Sequence, residues 1–121
     1  MKPPIRLPEH FAGLAPWTPK LVAEPNGQHV RHARLEGEFV WHRHAEEDEL
    51  FLVLEGAFDM HLREAVHRLE AGDLFVVPRG VEHKPVAPEP CVVLIFEPAG
   101  VRNTGEAVNE RTLEPDELER L

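Results

Sequence analysis

The chain has 121 residues, 42% of them hydrophobic and 29% charged, the makeup of one soluble globular domain with a modest core. Its net charge of −9 argues against a nucleic-acid partner, because a phosphate backbone needs a basic patch, and no apolar run approaches the roughly 18 residues of a membrane span. There is no serine, which excludes every Ser-His-Asp mechanism, and with Cys91 as the single cysteine and no signal-like opening segment, a reduced, cytoplasmic protein is expected.

In chain order, Met1 to Pro25 is a proline-rich arm that forbids a long helix and suits an extended segment along a surface. Within it Lys20 to Ala23 predicts a short strand, and Asn26-Gly27 is the strongest hairpin signal in the chain, with Gln28 to Leu35 as the second arm. Residues 1–27 therefore read as an N-terminal arm and strand. From Gly37 onward, short β-like runs alternate with turns: Phe39 to His44, Glu49 to Leu54, a hairpin of Ala57 to Leu62 and Ala65 to Leu69, then Leu74 to Val77 and His83 to Val86. A proline-marked turn at Pro88-Glu89-Pro90 precedes the longest run, Cys91 to Glu97. The pattern is all-β, a sandwich or barrel with its core over residues 28–98. Residues 99–121 form a tail wrapped on the surface. It could end in a short helix from Pro115, with Leu118 and Leu121 docking on the barrel.

The chemistry concentrates between Gly37 and Gly56. On a strand, His42 and His44 point to one face, and Glu49 opens the next strand beside them if Ala45 to Asp48 form the turn. Two imidazoles and a carboxylate converging from neighbouring strands suit a divalent transition metal, and His83, beyond the Pro78-Arg79-Gly80 turn, is the candidate fourth ligand. A His-x-His pair alone would read as ordinary outward-facing polar alternation. It is the joint spacing of Glu49, His83 and the glycines and proline that favours a metal site. His10, His29, His32, His61 and His67 lack such context and read as surface or network histidines, Glu46 to Asp48 as a solvated acidic turn, and Cys91 as a small buried hydrophobe.

Over roughly residues 28 to 98 the chain resembles the cupin superfamily. The first motif is carried by His42-x-His44, Glu49 and Gly56, the second by Gly72, Pro78-x-Gly80 and His83. Four residues separate Gly37 from His42 where the family usually has five, and Ala87 stands where an asparagine is frequent. The resemblance implies a jelly-roll β-barrel. Superfamily activities include dioxygenases, sugar-phosphate isomerases, decarboxylases and nonenzymatic ligand-binding domains, and small chains of this type are often labelled mannose-6-phosphate isomerase-like on the strength of the barrel.

With His42 and His44 inward, Val40 is expected inward too, and Phe39 and Trp41 outward; Glu49, Phe51 and Val53 share the inner face, and Leu50, Leu52 and Leu54 the outer. Val40, Phe51 and Val53 would floor an apolar pocket for a small ligand, while alternation turns Arg43 and Lys84 away from it. The outer apolar row is expected to be covered by a homodimer partner or by the chain's own arm and tail. Fe, Mn or Ni would keep open positions for substrate, whereas Zn could form a closed site. Two functions follow: a small-molecule metalloenzyme of the oxygenase or isomerase type, or a non-catalytic metal-dependent binding or sensing module.

Overall fold

A computed structural model describes residues 1–121. Its centre is one long strand and the hairpins paired to it. The strands are β1 (Lys20–Ala23), β2 (Gln28–Glu38), β3 (Glu49–Glu55), β4 (Ala57–Leu62), β5 (Val66–Glu70), β6 (Leu74–Val77), β7 (His83–Pro98) and β8 (Glu119–Arg120). They form a mixed sheet, β5-β4-β7-β2-β1-β8, in which β3 also pairs with β7 and β6 pairs with β3. The result is an all-β jelly-roll barrel.

The expected turn at Pro88-Glu89-Pro90 is not a break: β7 runs through it. On β2, Leu35 lies opposite Cys91 and Gly37 opposite Ala87, so Pro88 to Pro90 occupy a bulge where a missing N–H leaves no ladder bond unmade. Before the bulge β7 pairs with β4, through Leu62↔His83 to Asp59↔Val86. After it, Val92 to Phe96 pair with β3. The prolines thus mark the place where one strand changes partners and the sheet curls into a barrel.

The expected strand from Phe39 to His44 is a correction in the other direction. This segment runs beside the start of β7, but only His42 and His83 exchange both backbone bonds, at 3.0 and 2.9 Å. Phe39 donates to the Pro85 carbonyl at 3.0 Å, and Pro85 has no N–H to return. The ladder is interrupted there, and side-chain direction no longer follows simple alternation.

The core holds Ala33, Leu35, Phe51, Val53, Phe58, Met60, Leu69, Val77, Ala87, Cys91 and Val93, the inward positions of β2 to β7. Val53 belongs to this core. The arm adds a 3-10 segment (Leu7–Gly13), then Leu14 and Pro19 are buried and Trp17 stacks on Phe39 with ring centroids 4.7 Å apart. The tail has a short helical turn from Pro115, where one is expected, and adds a strand after it. Pro115–Glu117 is one 3-10 turn, closed by a capping box between Glu114 and Glu117, and the chain then forms β8 in parallel pairing with β1. Leu121 docks through its backbone N–H to the Leu21 carbonyl at 3.1 Å, while its side chain stays exposed.

Candidate metal centre

His42, His44, Glu49 and His83 meet at one end of the barrel interior, and each is buried. The bridge between His42 and His83 brings their rings to a centroid distance of 4.2 Å, and β3 delivers Glu49 from the neighbouring strand. The Glu49 Oε1 lies 3.3 Å from His83 Nε2 and 3.4 Å from His44 Nε2, and one donor atom from each of the four residues falls within 4.8 Å of the others. Two ligands each about 2.1 Å from an ion at right-angle or tetrahedral bond angles are separated by roughly 3.0 to 3.4 Å. Glu49 stands at that spacing from His83 and His44, and the four donors are gathered closely enough for small side-chain shifts to close them around one ion.

The hydrogen bonds prepare the nitrogens. His42 Nδ1 donates to the Val40 carbonyl and His83 Nδ1 to the Val81 carbonyl, each at 2.9 Å. A carbonyl only accepts, so both rings carry their proton on Nδ1 and leave the Nε2 lone pair free. His44 Nε2 is buried with no hydrogen-bond partner, a polar atom that an ion would satisfy.

Electrostatics separate the four. Burial, then the neighbouring His83, pushes His42 down to about 4, so this imidazole is neutral at physiological pH. Burial opposes protonation of His44 as well, but the Glu49 carboxylate 3.4 Å away outweighs it and raises its pKa. For Glu49, burial raises the pKa, and the imidazoles of His44 and His83, at 3.4 and 3.3 Å from its Oε1, overcome it and hold the carboxyl well below its usual range. An anionic Glu49 among imidazoles is the protonation state a cation needs.

An adjoining cavity of about 40 Å³ is lined by Trp17, Leu35, Phe39, Phe51, Ile95 and the ligand-cluster residues His42 and Glu49. Phe39 was expected outward. It is buried, continuing the inward alternation of Ala33 and Leu35 on β2, and its ring meets His42 edge-on at 5.3 Å; the break in alternation falls between Phe39 and His42. Of the expected floor only Phe51 lines the cavity; Val40 does not. Trp41 faces outward as expected, with the Arg63 guanidinium 3.8 Å from its ring centre. Arg43, Lys84 and Arg79 are tied outside to Glu106, Glu38 and Asp48. His61 and His67 do not reach the cavity. His29 is a network residue, bonded to Arg31, but His32 is completely buried with both ring nitrogens unpartnered.

The polar pair Arg31 and Glu97, which belongs to no motif in the sequence, lines the same cavity. Alternation offered the signal. His29, Arg31, Ala33 and Leu35 share the inner face of β2, and Cys91, Val93, Ile95 and Glu97 that of β7.

A small β-barrel with three imidazoles and a carboxylate gathered beside an apolar cavity is a protein that could hold a metal ion against a small molecule. The cupin domain family matches residues 28–97, and the chain belongs to the cupin superfamily. Over 64 residues it is 38% identical to the uncharacterized protein YdbB of Bacillus subtilis, an alignment spanning 52% of this chain and 57% of that relative, a little over half of its length. A crystal structure of a cupin-2 domain containing protein from Shewanella frigidimarina is 42% identical, covering 78% of this chain and 93% of that one, with a TM-score of 0.76. Hydroquinone 1,2-dioxygenase from Sphingomonas, solved with 4-hydroxybenzoate bound, shares the fold at 20% identity and a TM-score of 0.68, over 77% of this chain and 72% of that one. No helix of the protein is long and apolar enough to cross a membrane.

Proposed function

We propose that His42, His44, Glu49 and His83 hold a divalent transition metal (Fe, Mn, Ni or Zn), and that the protein is a small-molecule metalloenzyme of the oxygenase or isomerase type. One observation carries this reading: four buried donors lie within 4.8 Å of one another, two of them with Nδ1 already committed to backbone carbonyls, beside an apolar cavity that His42 and Glu49 line. When bound, the metal would supply Lewis acidity and positions for substrate oxygen. The chain's own residues do the rest. Glu49 supplies negative charge, the Nδ1 hydrogen bonds orient the rings of His42 and His83, and Phe39, Phe51 and Trp17 exclude water and confine a small ligand. The fold shared with a dioxygenase supports the oxygenase type at the level of architecture only.

Elemental analysis of protein purified without a histidine tag, followed by anaerobic Fe(II) reconstitution and oxygen-uptake assays with small diketones, thiols and phenols, tests the reading. One equivalent of metal, lost in His44→Ala while the circular-dichroism spectrum is kept, is the expected result. No metal in the reconstituted wild type would overturn the metal site, and tightly held metal without turnover on oxygen or isomerase substrates would overturn the enzymatic reading.

The protein is further proposed to be a cytoplasmic homodimer. The edge strand β6 exposes Leu74 and Val76, which pair with Leu52 and Leu50 of β3 to make one apolar outer face. Val76→Lys is expected to yield monomers in light scattering; a monomeric wild type would refute the dimer.

A further inference from the structure

The cavity beside the four-residue cluster has a second polar end. Arg31 and Glu97 lie diagonally across the β2–β7 ladder, 1% and 2% exposed, with Arg31 Nη1 2.8 Å from Glu97 Oε1. The guanidinium is fixed from behind. Its Nε and Nη2 reach His29 Nδ1 at 3.2 and 3.0 Å, and Nη2 also donates to the Val101 carbonyl at 2.9 Å. Glu97 Oε2, by contrast, is buried with no donor in the protein, and the side chain beside Glu97 is Glu49, another carboxyl; burial and this neighbour hold Glu97 well above the usual carboxylate range. A pair serving stability alone would engage both carboxylate oxygens in the bidentate fork that arginine offers, because leaving one buried oxygen unmatched costs folding free energy. Both residues line the cavity that His42 and Glu49 also line.

We propose that Glu97 recognises the ligand: Arg31 clamps one of its oxygens, and the other, Oε2, takes a hydroxyl group of the small molecule whose metal-binding oxygen lies at the His42 and Glu49 end. The inference rests on the metal reading of that cluster. A hydroxyl both donates and accepts, so it suits this oxygen whether the carboxyl beside Glu49 carries a proton or not. An anionic ligand would meet two carboxyl groups on the cavity wall, and Arg31 is already engaged. About 40 Å³ of space admits only a few heavy atoms, and the apolar wall of Leu35, Phe51 and Ile95 accommodates a short carbon skeleton. The ligand class is therefore a small uncharged molecule with two oxygen functions, of the hydroxyketone or polyol kind.

The test uses hydroxyacetone and acetone, which differ in one hydroxyl, and pyruvate as the anion. Binding is read by ligand-observed NMR titration on wild type, Glu97→Gln and the double variant Arg31→Met with Glu97→Leu, after the metal content of each has been measured. Removing both partners of the pair leaves no unmatched buried charge, so the double variant keeps the fold. Wild type is expected to favour hydroxyacetone over acetone by roughly tenfold to a hundredfold, Glu97→Gln to keep part of that preference, and the double variant to lose it with unchanged metal content. Equal binding of the two ketones to wild type, no binding of either, or a preference surviving in the double variant would overturn the proposal while leaving the metal site standing. Pyruvate binding more tightly than hydroxyacetone would overturn it too. If wild type takes up no metal, the metal reading fails, and the same titrations on metal-free protein decide the role of Glu97 separately.

Discussion

Replacing Gly56 by alanine tests how the barrel is closed. Gly56 sits between β3 and β4 at φ +79°, and a Cβ there would lie 2.6 Å from the Pro90 carbonyl oxygen and 3.2 Å from Cys91 Cα. Those atoms are backbone of the β7 bulge, where the long strand changes partners. The left-handed conformation by itself costs a non-glycine residue about 1 to 2 kcal/mol. Displacing the bulge adds an overpacking cost of roughly 1 to 3 kcal/mol. Gly37 is a matched control, because its φ is +81° and a Cβ there would meet nothing within 4 Å. For a domain of this length 1 kcal/mol corresponds to about 4 °C of Tm. Gly37→Ala is therefore expected to lower Tm by about 4 to 8 °C and Gly56→Ala by about 8 to 20 °C. The assay is thermal unfolding of metal-free protein by circular dichroism, with urea midpoints as a check. Equal losses in the two variants would refute the claim that the Gly56 turn seats against the bulge.

Three further outcomes are expected. Arg31→Met alone removes the cation that opposes the rise in the pKa of Glu97 caused by burial and Glu49, so the carboxyl takes a proton and the variant should lose about 1 to 3 kcal/mol in urea unfolding, most of it restored by adding Glu97→Leu; additive losses would show that the buried pair is not coupled. Burial, with His10 and Lys20 adding, lowers the pKa of His32, so below about pH 6.5 the unfolded chain takes a proton that the folded one refuses. Stability should thus fall as pH drops from about 8 to 5.5, and His32→Leu should show a smaller fall in Tm over that range; an unchanged slope would remove His32 as a source. Burial, then the nearby Glu55, pushes the Cys91 thiol up to about 12, so thiol reagents at pH 8 should modify it only after denaturation, and rapid labelling of folded protein would contradict its burial.

The architecture was legible where sequence periodicity and backbone chemistry agreed. Leu74 to Val77, Ala57 to Leu62 and the Asn26-Gly27 hairpin are strands or turns at the expected places, because alternation and turn residues there act locally. The donor cluster was legible for another reason: His-x-His, a carboxylate and a distant histidine have few other uses in joint register. Proline is an ambiguous signal. At Pro88 to Pro90 it suggested a turn, yet a bulged strand has unpaired positions that tolerate it. At Pro85 its effect falls on a different segment, depriving Phe39 of a returning bond and interrupting the ladder before His42. Local sequence shows where a donor is missing but not which strand will need it. The Arg31–Glu97 pair was hidden similarly: each residue sits in the inward register of its own strand, where charge is costly, and only the β2–β7 pairing reveals that the two costs partly cancel. That they cancel only in part, with Glu97 Oε2 left over, is the feature that ties the barrel's interior to a ligand rather than to stability alone.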